Sequence, residues 1–168
     1  AKKANFWLEN LGMQAEFTGD EKSVEGKGIT VTVLMGGEDK KKMREWDLYP
    51  EKDAILIGTQ DMLLSRALNR GYGMSRYRWP THFGLLNNDC LWVLDEIQLM
   101  GRGLTTTAQL EAFRKRLGTM GNTKTIWMSA TLEPKWLKTV DFEPSSDSDN
   151  IFTLDKNDHL AEQEIESR

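Results

Sequence analysis

The chain has 168 residues, of which 39% are hydrophobic and 29% charged, and this composition is typical of one globular domain rather than of a disordered, collagenous or coiled-coil protein. It contains neither the roughly 18 consecutive apolar residues of a membrane-spanning helix nor the apolar block of a signal peptide, so we expect a soluble, intracellular protein. Its single cysteine, Cys90, excludes an internal disulfide and a zinc site built from cysteines.

Charged side chains are unevenly distributed along the chain. The net charge is −4, but residues 142–168 hold eight acidic side chains against two basic ones, whereas residues 1–141 hold 18 acidic and 20 basic ones. This pattern predicts a nearly neutral folded body at 1–141, followed by an acidic linker or tail at 142–168. Because the chain begins at Ala1 with a helical pattern already running, we expect it to be a fragment of a longer protein.

The N-terminal third contains signals for two helices and one strand. Apolar residues recur at helical spacing over residues 2–11, which predicts an amphipathic helix. Residues 29–34 are β-branched and almost wholly apolar, as in a strand, and the pair Gly36 and Gly37 follows them. The charged run 38–44 predicts a short solvated helix.

A second strand and a further helix are predicted next. The short apolar run 54–57 is typical of a strand that is buried on both faces of a parallel sheet. Arg66 and Arg70 stand four residues apart on a different face of the following helix from its apolar stripe. Residues 72–89, rich in Gly, Arg and aromatic side chains, are expected to form a loop. The apolar stripe of the helix consists of Leu63, Leu64, Ala67 and Leu68.

The alternation of strands and helices continues in the second half of the chain. Residues 90–94 predict a third buried strand, and residues 125–128 predict a fourth. Between them a helix is predicted from about Thr106, which stands at capping-box spacing from Gln109. A short helix is predicted over residues 133–140, and a last acidic helical segment is expected near the C-terminus.

Apolar strands that alternate with helices predict an α/β fold with a parallel sheet flanked by helices. In such sheets, ligands bind at the carboxyl ends of the strands. Three of the four predicted strands end in polar residues that are capable of chemistry, at 59–61, at 95–96 and at 129–131. We therefore expect a functional site along this edge of the sheet.

The acidic pair after the third strand has two interpretations. Asp95 can hold Mg²⁺ through water, and Glu96 can orient and deprotonate an attacking water molecule. Alternatively, the pair marks only the point where a strand meets solvent. Ser129 and Thr131 have a similar ambiguity, because their hydroxyl groups can bond the segment after Asp95, or Thr131 can simply cap a helix.

Polar and basic residues after the second strand suggest contacts with nucleic acid. Thr59 and Gln60, at a helix start, offer hydroxyl, amide and backbone donors to phosphate. The arginines of the region, interleaved with aromatic residues, suit a surface on which a single strand stacks, but a solvated helix face and an aromatic loop packed on the body fit equally well. These residues are Arg66, Arg70, Arg76 and Arg78 with Tyr72, Tyr77 and Trp79.

Several of these segments resemble the motifs of superfamily 2 helicases. The sequence Asp-Glu-Ile-Gln at 95–98 resembles their Walker B segment, and Ser-Ala-Thr at 129–131 resembles their coupling motif. Gly-Thr-Gln-Asp at 58–61 resembles a motif that grips the nucleic-acid backbone, and the glycine pair at 36–37 resembles another. The stretch 86–98 is similar to the CRISPR-associated helicase-nucleases of type I systems.

This resemblance covers residues 1–141 and implies an ATP site in the first RecA-like domain of a helicase. Asp95 would bind Mg²⁺ through water, and Glu96 would be the catalytic base for ATP hydrolysis. Gln98 would contact the nucleotide and, with Ser129 and Thr131, would couple the ATP site to the DNA site. Many relatives have histidine where this chain has Gln98, which keeps hydrogen bonding but removes a titratable group.

The resemblance also implies the partners of the protein. Gly36, Gly37, Thr59 and Gln60 would bind single-stranded DNA. Arg66 and Arg70 are further candidates for this contact from their spacing alone. The further partners would be a CRISPR surveillance complex that carries guide RNA and the remaining helicase domains of the parent protein. No membrane partner is implied, and the expected location is the cytoplasm of a prokaryote.

One motif of the family has no counterpart in this sequence. Phosphate binding requires a glycine-rich loop that ends in Lys and Ser or Thr and opens a helix. The segment Gly26-Lys27-Gly28 has glycine in place of the hydroxyl residue and precedes a strand, so we reject it. We therefore expect a RecA-like domain that is incomplete on its N-terminal side and hydrolyses little ATP alone. The alternatives are a truncated module that binds single-stranded DNA or docks a protein, and an RNA helicase.

Overall fold

The computed structural model describes residues 2–11, 13, 28–35, 46–131, 133–144 and 151. Some sequence predictions therefore lie outside the described residues. They are the glycine pair at 36–37, the helix at 38–44 and the acidic helical segment near the C-terminus.

The described chain contains the four predicted strands together with four α-helices. All four strand predictions are confirmed to within one or two residues at each end. In chain order the elements are α1 (Lys2–Asn10), β1 (Thr30–Leu34), β2 (Ala54–Gly58), α2 (Gln60–Ala67), α3 (Trp79–Asn87), β3 (Leu91–Leu94), α4 (Arg102–Leu117) and β4 (Lys124–Trp127). Short 3₁₀ turns occur at Arg76–Arg78, Ile97–Leu99 and Pro134–Leu137.

The strands pair in parallel, as the apolar pattern predicts. β1 pairs with β2, with Thr30 opposite Ala54. β3 pairs with β4, with Leu91 opposite Lys124. The hydrogen-bonded ladders form two sheets of two strands each, and residues of α2, α3 and α4 share one hydrophobic core with strand residues. This is an α/β arrangement of the partial RecA-like type.

One hydrophobic core joins the two strand pairs. Leu34 of β1 and Ile97, just after β3, are its largest fully buried side chains. α4 contributes a buried face to the same core, through Leu104, Ala108, Leu110 and Ala112. Ile97 is packed in this core, and this packing fixes the position of the backbone at the acidic pair, residues 95–96, directly before it.

The expectation that the strands are buried on both faces is wrong for β2, β3 and β4. Ala54 and Ile55 of β2 are exposed, and the other residues of this strand are only partly buried. Trp92 and Leu94 of β3 are buried, but the alternate residues Leu91 and Val93 are 59% and 53% exposed. Ile126 of β4 is also exposed. Successive side chains of a strand point to opposite faces, and among the described residues no element covers this second face.

The predicted loop at 72–89 is largely helical. After a 3₁₀ turn, α3 runs from Trp79 to Asn87 and buries His82, Leu86 and Asn87 against the body. Pro80 lies in its first turn, where the missing N–H is not needed. The sequence does not predict this helix, because Gly84, Asn87 and Asn88 are weak helix formers.

Helix boundaries differ from prediction at three other places. α4 begins at Arg102, so Thr106 lies inside the helix, where its hydroxyl donates to Arg102 O at 3.1 Å instead of capping. α2 ends at Ala67, which leaves Leu68 exposed rather than in the core. The predicted helix at 133–140 is a single 3₁₀ turn, Pro134–Leu137.

Candidate functional site

The acidic pair lies at the carboxyl end of β3, where the sequence places it. Asp95 and Glu96 are both exposed. The N–H of Glu96 donates to Asp95 Oδ1 at 2.8 Å, so the Asp95 carboxylate folds back over the end of the strand. One carboxylate is thus held by the backbone, and both face solvent.

Glu96 has a left-handed backbone conformation, with φ +50° and ψ +47°. This conformation costs a non-glycine residue about 1–2 kcal/mol. The strain is held in place by the next residue, because Ile97 is fully buried and its N–H donates to Met128 O at 3.1 Å. The sharp turn ends β3 and brings residues 96–98 beside the end of β4.

Gln98 links the acidic pair to the end of β4. Its Nε2 donates to Glu96 Oε2. Its Oε1 accepts a hydrogen bond from Ser129 Oγ at 2.6 Å. Ser129 Oγ in turn accepts from the N–H of Thr131 at 3.2 Å. The structure therefore brings together four of the candidate residues, Glu96, Gln98, Ser129 and Thr131, in one hydrogen-bonded chain.

The donor set at this edge suits Mg²⁺ that is shared with a phosphate ligand. The described residues contain no group of three or more His, Cys, Asp or Glu side chains that could hold a metal alone. Mg²⁺ usually binds through one or two carboxylates together with waters and substrate phosphates. Two exposed carboxylates, Asp95 and Glu96, meet that requirement.

Thr59 and Gln60 open α2 at the carboxyl end of β2. Thr59 is exposed, and its side chain makes no capping hydrogen bond, so the hydroxyl is not used by the helix. Gln60 is exposed. Its side-chain oxygen lies next to α4, because a Cβ placed on Gly103 would lie 2.5 Å from Gln60 Oε1. Both residues lie at the carboxyl end of β2, which is the edge where ligands bind in parallel sheets.

Arg66 does not lie on an exposed face with Arg70, and that expectation is wrong. Its side chain is 4% exposed, and Nη1 donates to Met62 O at 2.5 Å. Burial, reinforced by the nearby charge of Arg78, lowers the pKa of the Arg66 guanidinium. Arg70, after the end of the helix, is exposed. Only Arg70 of this pair is accessible to a nucleic acid.

A buried ionic cluster centred on Asp47 is missed by sequence reasoning. Arg78 Nε donates to Asp47 Oδ2 at 2.9 Å, and His82 Nε2 lies 2.7 Å from the same oxygen. Burial opposes ionisation of Asp47, but the hydrogen bonds and charges of His82 and Arg78 hold its pKa below the usual value. The partners are 31 and 35 residues from Asp47, so no local pattern signals them.

The parallel strands, the flanking helices and the polar residues at the strand ends together define a RecA-like α/β domain with a candidate nucleotide site. The sequence profile of the DEAD/DEAH box helicase family matches residues 13–140, which is most of the chain. The chain belongs to this family.

No curated protein and no solved structure gives a significant match. Within the described residues, no helix is both long and apolar enough to cross a membrane.

Proposed function

We propose that this chain forms the hydrolytic half of the ATP site in a DNA helicase motor of the kind found in CRISPR-associated helicase-nucleases of type I systems. The observation that carries the proposal is the hydrogen-bonded chain from Glu96 through Gln98 to Ser129. It connects Glu96, the proposed base, to Ser129 at the end of β4. A motor requires such a connection, because ATP hydrolysis must change the structure elsewhere in the protein. Family membership supports the helicase part of the proposal.

The two carboxylates divide the chemistry between them. Asp95, held by the Glu96 N–H, is oriented to bind a water-coordinated cation. Glu96 Oε2 is fixed by Gln98, which leaves its other carboxylate oxygen to orient the attacking water and to take its proton. Bound Mg²⁺ would neutralise developing charge on the ATP phosphates.

Gln98 acts as the coupling residue in this proposal. Its amide both donates and accepts, so displacement of the Glu96 carboxylate is passed to Ser129 and from there to the Thr131 N–H. A neutral amide does this at any pH. Movement of residues 129–131 is then the output that the ATP site delivers to the rest of the motor.

Single-stranded DNA is the proposed track, with Thr59 and Gln60 as contacts to its phosphates. The exposed hydroxyl and amide suit backbone contacts that are independent of base sequence. Gly36 and Gly37 are proposed as further contacts on the family resemblance alone. The guide-RNA surveillance complex, the remaining helicase domains and the prokaryotic cytoplasm belong to the same proposal.

The test is DNA-stimulated ATP hydrolysis by the longest protein encoded in the reading frame of this chain. We expect Glu96→Gln to lower the rate at least about a hundredfold, because general-base catalysis contributes roughly 10²–10⁴-fold. Glu133→Gln, which changes an exposed glutamate paired with Lys135, is the matched control and should retain activity. Equal rates for the wild type and Glu96→Gln would refute the proposal.

The alternative is a helicase-like module that binds single-stranded DNA or docks a protein without hydrolysing ATP. The sequence supports it in one respect, since this chain has no glycine-rich phosphate loop. It predicts DNA binding that is sensitive to salt but unchanged by ATP. DNA affinity measured with and without Mg²⁺ and ATP separates the two functions.

A further inference from the structure

The segment between α2 and α3 displays two aromatic rings and two cationic side chains. We call residues 70–77 the tyrosine–arginine loop. Tyr77 is 95% exposed and Tyr72 is 72% exposed, and Arg70 and Arg76 are exposed as well. Tyrosine is intermediate between buried and exposed residue types in folded proteins, so two largely exposed rings five residues apart indicate a contact surface.

The charge around this loop favours an anionic ligand. Residues 62–88 contain four arginines and not one acidic residue, in a chain with 26 acidic residues and a net charge of −4. Arg66 is buried and Arg78 is bound to Asp47, so Arg70 and Arg76 supply the positive charge of the surface. A local excess of cations on a chain with negative net charge points to a polyanion rather than to an ordinary protein surface.

Contacts at both ends hold the loop in place. At the start, the N–H of Gly71 donates to Ser65 O at 3.1 Å, and the N–H of Tyr72 donates to Ser65 Oγ at 3.2 Å. Gly71 has a φ of +42°, and a Cβ there would lie 2.5 Å from Trp79 Cδ1, so the backbone packs directly on that indole. The backbone that carries Tyr72 is therefore held in one conformation, which lowers the entropy cost of binding a ligand.

The other end of the loop is fixed by the Asp47 cluster. Arg78, next to Tyr77 in sequence, is tied to Asp47. The Arg76 guanidinium carbon lies 5.8 Å from the centroid of the Trp79 ring, so this cation rests on an aromatic face. Arg76 retains in-plane donors in this position, and those are the donors that bind phosphate.

We infer that the tyrosine–arginine loop is a stacking surface for single-stranded DNA, in which bases stack on Tyr72 and Tyr77 while Arg70 and Arg76 bind phosphates. This inference rests on the proposed function and extends the DNA track from Thr59 along α2. The helix has eight residues and is therefore about 12 Å long, and it separates Thr59 at its start from the tyrosine–arginine loop after its end. Exposed aromatic rings beside cations are what single-strand binding surfaces use when they ignore base sequence.

The experiment measures, by anisotropy, the binding of a fluorescein-labelled oligothymidine to the longest protein encoded in the reading frame of this chain. We expect Tyr77→Ala and Tyr72→Ala each to weaken binding at least about fivefold, which is the lower end of the loss for one stacked base. Tyr77→Phe keeps the ring and should bind like the wild type. The matched control is Phe113→Ala, which removes an exposed aromatic ring from α4.

The salt dependence of binding tests the arginines separately. Arg70→Ala and Arg76→Ala should each reduce the slope of log affinity against log salt by about 0.7, the value for one phosphate contact to a single strand. If the double variant Tyr72→Ala/Tyr77→Ala binds like the wild type while Thr59→Ala weakens binding, the loop has another partner and the inference is wrong, although the proposed function stands. If the wild type binds no oligonucleotide at all, both fail.

Discussion

The Ser129 hydroxyl donates to the side-chain oxygen of Gln98 at 2.6 Å, and this bond joins the end of β4 to the turn after β3. Because the other end of the same amide holds Glu96, one neutral side chain connects the proposed base to residues 129–131. Replacing Gln98 therefore tests coupling with little direct change to the charges of the ATP site.

We expect Gln98→Ala to reduce the stimulation of ATP hydrolysis by DNA about fivefold or more, because it deletes two hydrogen bonds of roughly 1 kcal/mol each. The comparison is the ratio of rates with and without DNA in the longest encoded protein. Gln109→Ala is the control, since it deletes a side-chain bond of the same kind to Asp141. Equal stimulation in the wild type and Gln98→Ala would contradict a coupling role.

Ile97 supports the site from below. Ile97→Ala leaves a cavity at a fully buried position, so we expect the free energy of unfolding to fall by about 2–5 kcal/mol. Ile126→Ala makes the same deletion on an exposed face and should cost far less. Denaturant titration of both variants gives the comparison, and similar losses would show that Ile97 is not a core anchor.

Arg114 clamps three elements of the fold together. It is buried, its Nε donates to Asn87 Oδ1 at 3.0 Å, and its guanidinium carbon lies 5.3 Å from the centroid of the Trp92 ring. Arg114→Ala should lower the free energy of unfolding by about 2–4 kcal/mol, because buried acceptors lose a charged donor. Lys115→Ala, one residue away and mostly exposed, should change it by less than about 1 kcal/mol. A loss in Arg114→Ala no larger than that in Lys115→Ala would contradict the clamp.

Asp47 makes the stability of the domain depend on pH. Its pKa is depressed in the folded chain, so its contribution is fully present above the unfolded value of about 3.9 and is lost as pH falls through the lower folded value. We compare roughly pH 5 with roughly pH 3, because these values lie above and below the unfolded pKa of Asp47. Between them we expect the wild type to lose more free energy of unfolding than Asp47→Asn. Identical losses in the two proteins, measured by denaturant titration at each pH, would show that Asp47 is not stabilised by its partners.

The strands and the polar ends that follow them could be predicted from the sequence, because each depends on a short continuous pattern. The run Ala54–Gly58 is apolar over its whole length, and the acidic pair follows β3 directly. Parallel pairing then follows from the helices between the strands, and it places residues 95–98 near residues 129–131.

What could not be predicted depends on contacts between distant residues. Arg66 looked like a surface cation because helical spacing shows only which residues share a face, not whether a long side chain turns inward. α3 was hidden because its stability comes from packing on α2, which compensates for weak helix formers such as Gly84. The Asp47 cluster joins residues more than 30 positions apart, and only the folded chain brings them together.

At Glu96 the proposed function and the stability of the fold favour different residues, because the left-handed backbone there is unfavourable for any residue with a side chain. Glycine adopts this conformation without the steric penalty, so Glu96→Gly is expected to unfold at a denaturant concentration no lower than the wild type, even though the proposed base is gone. A search for stabilised variants of this domain would thus favour replacing the very residue that we propose activates water. Thermal or chemical stability is therefore a misleading guide to activity in this domain, and hydrolysis has to be assayed directly.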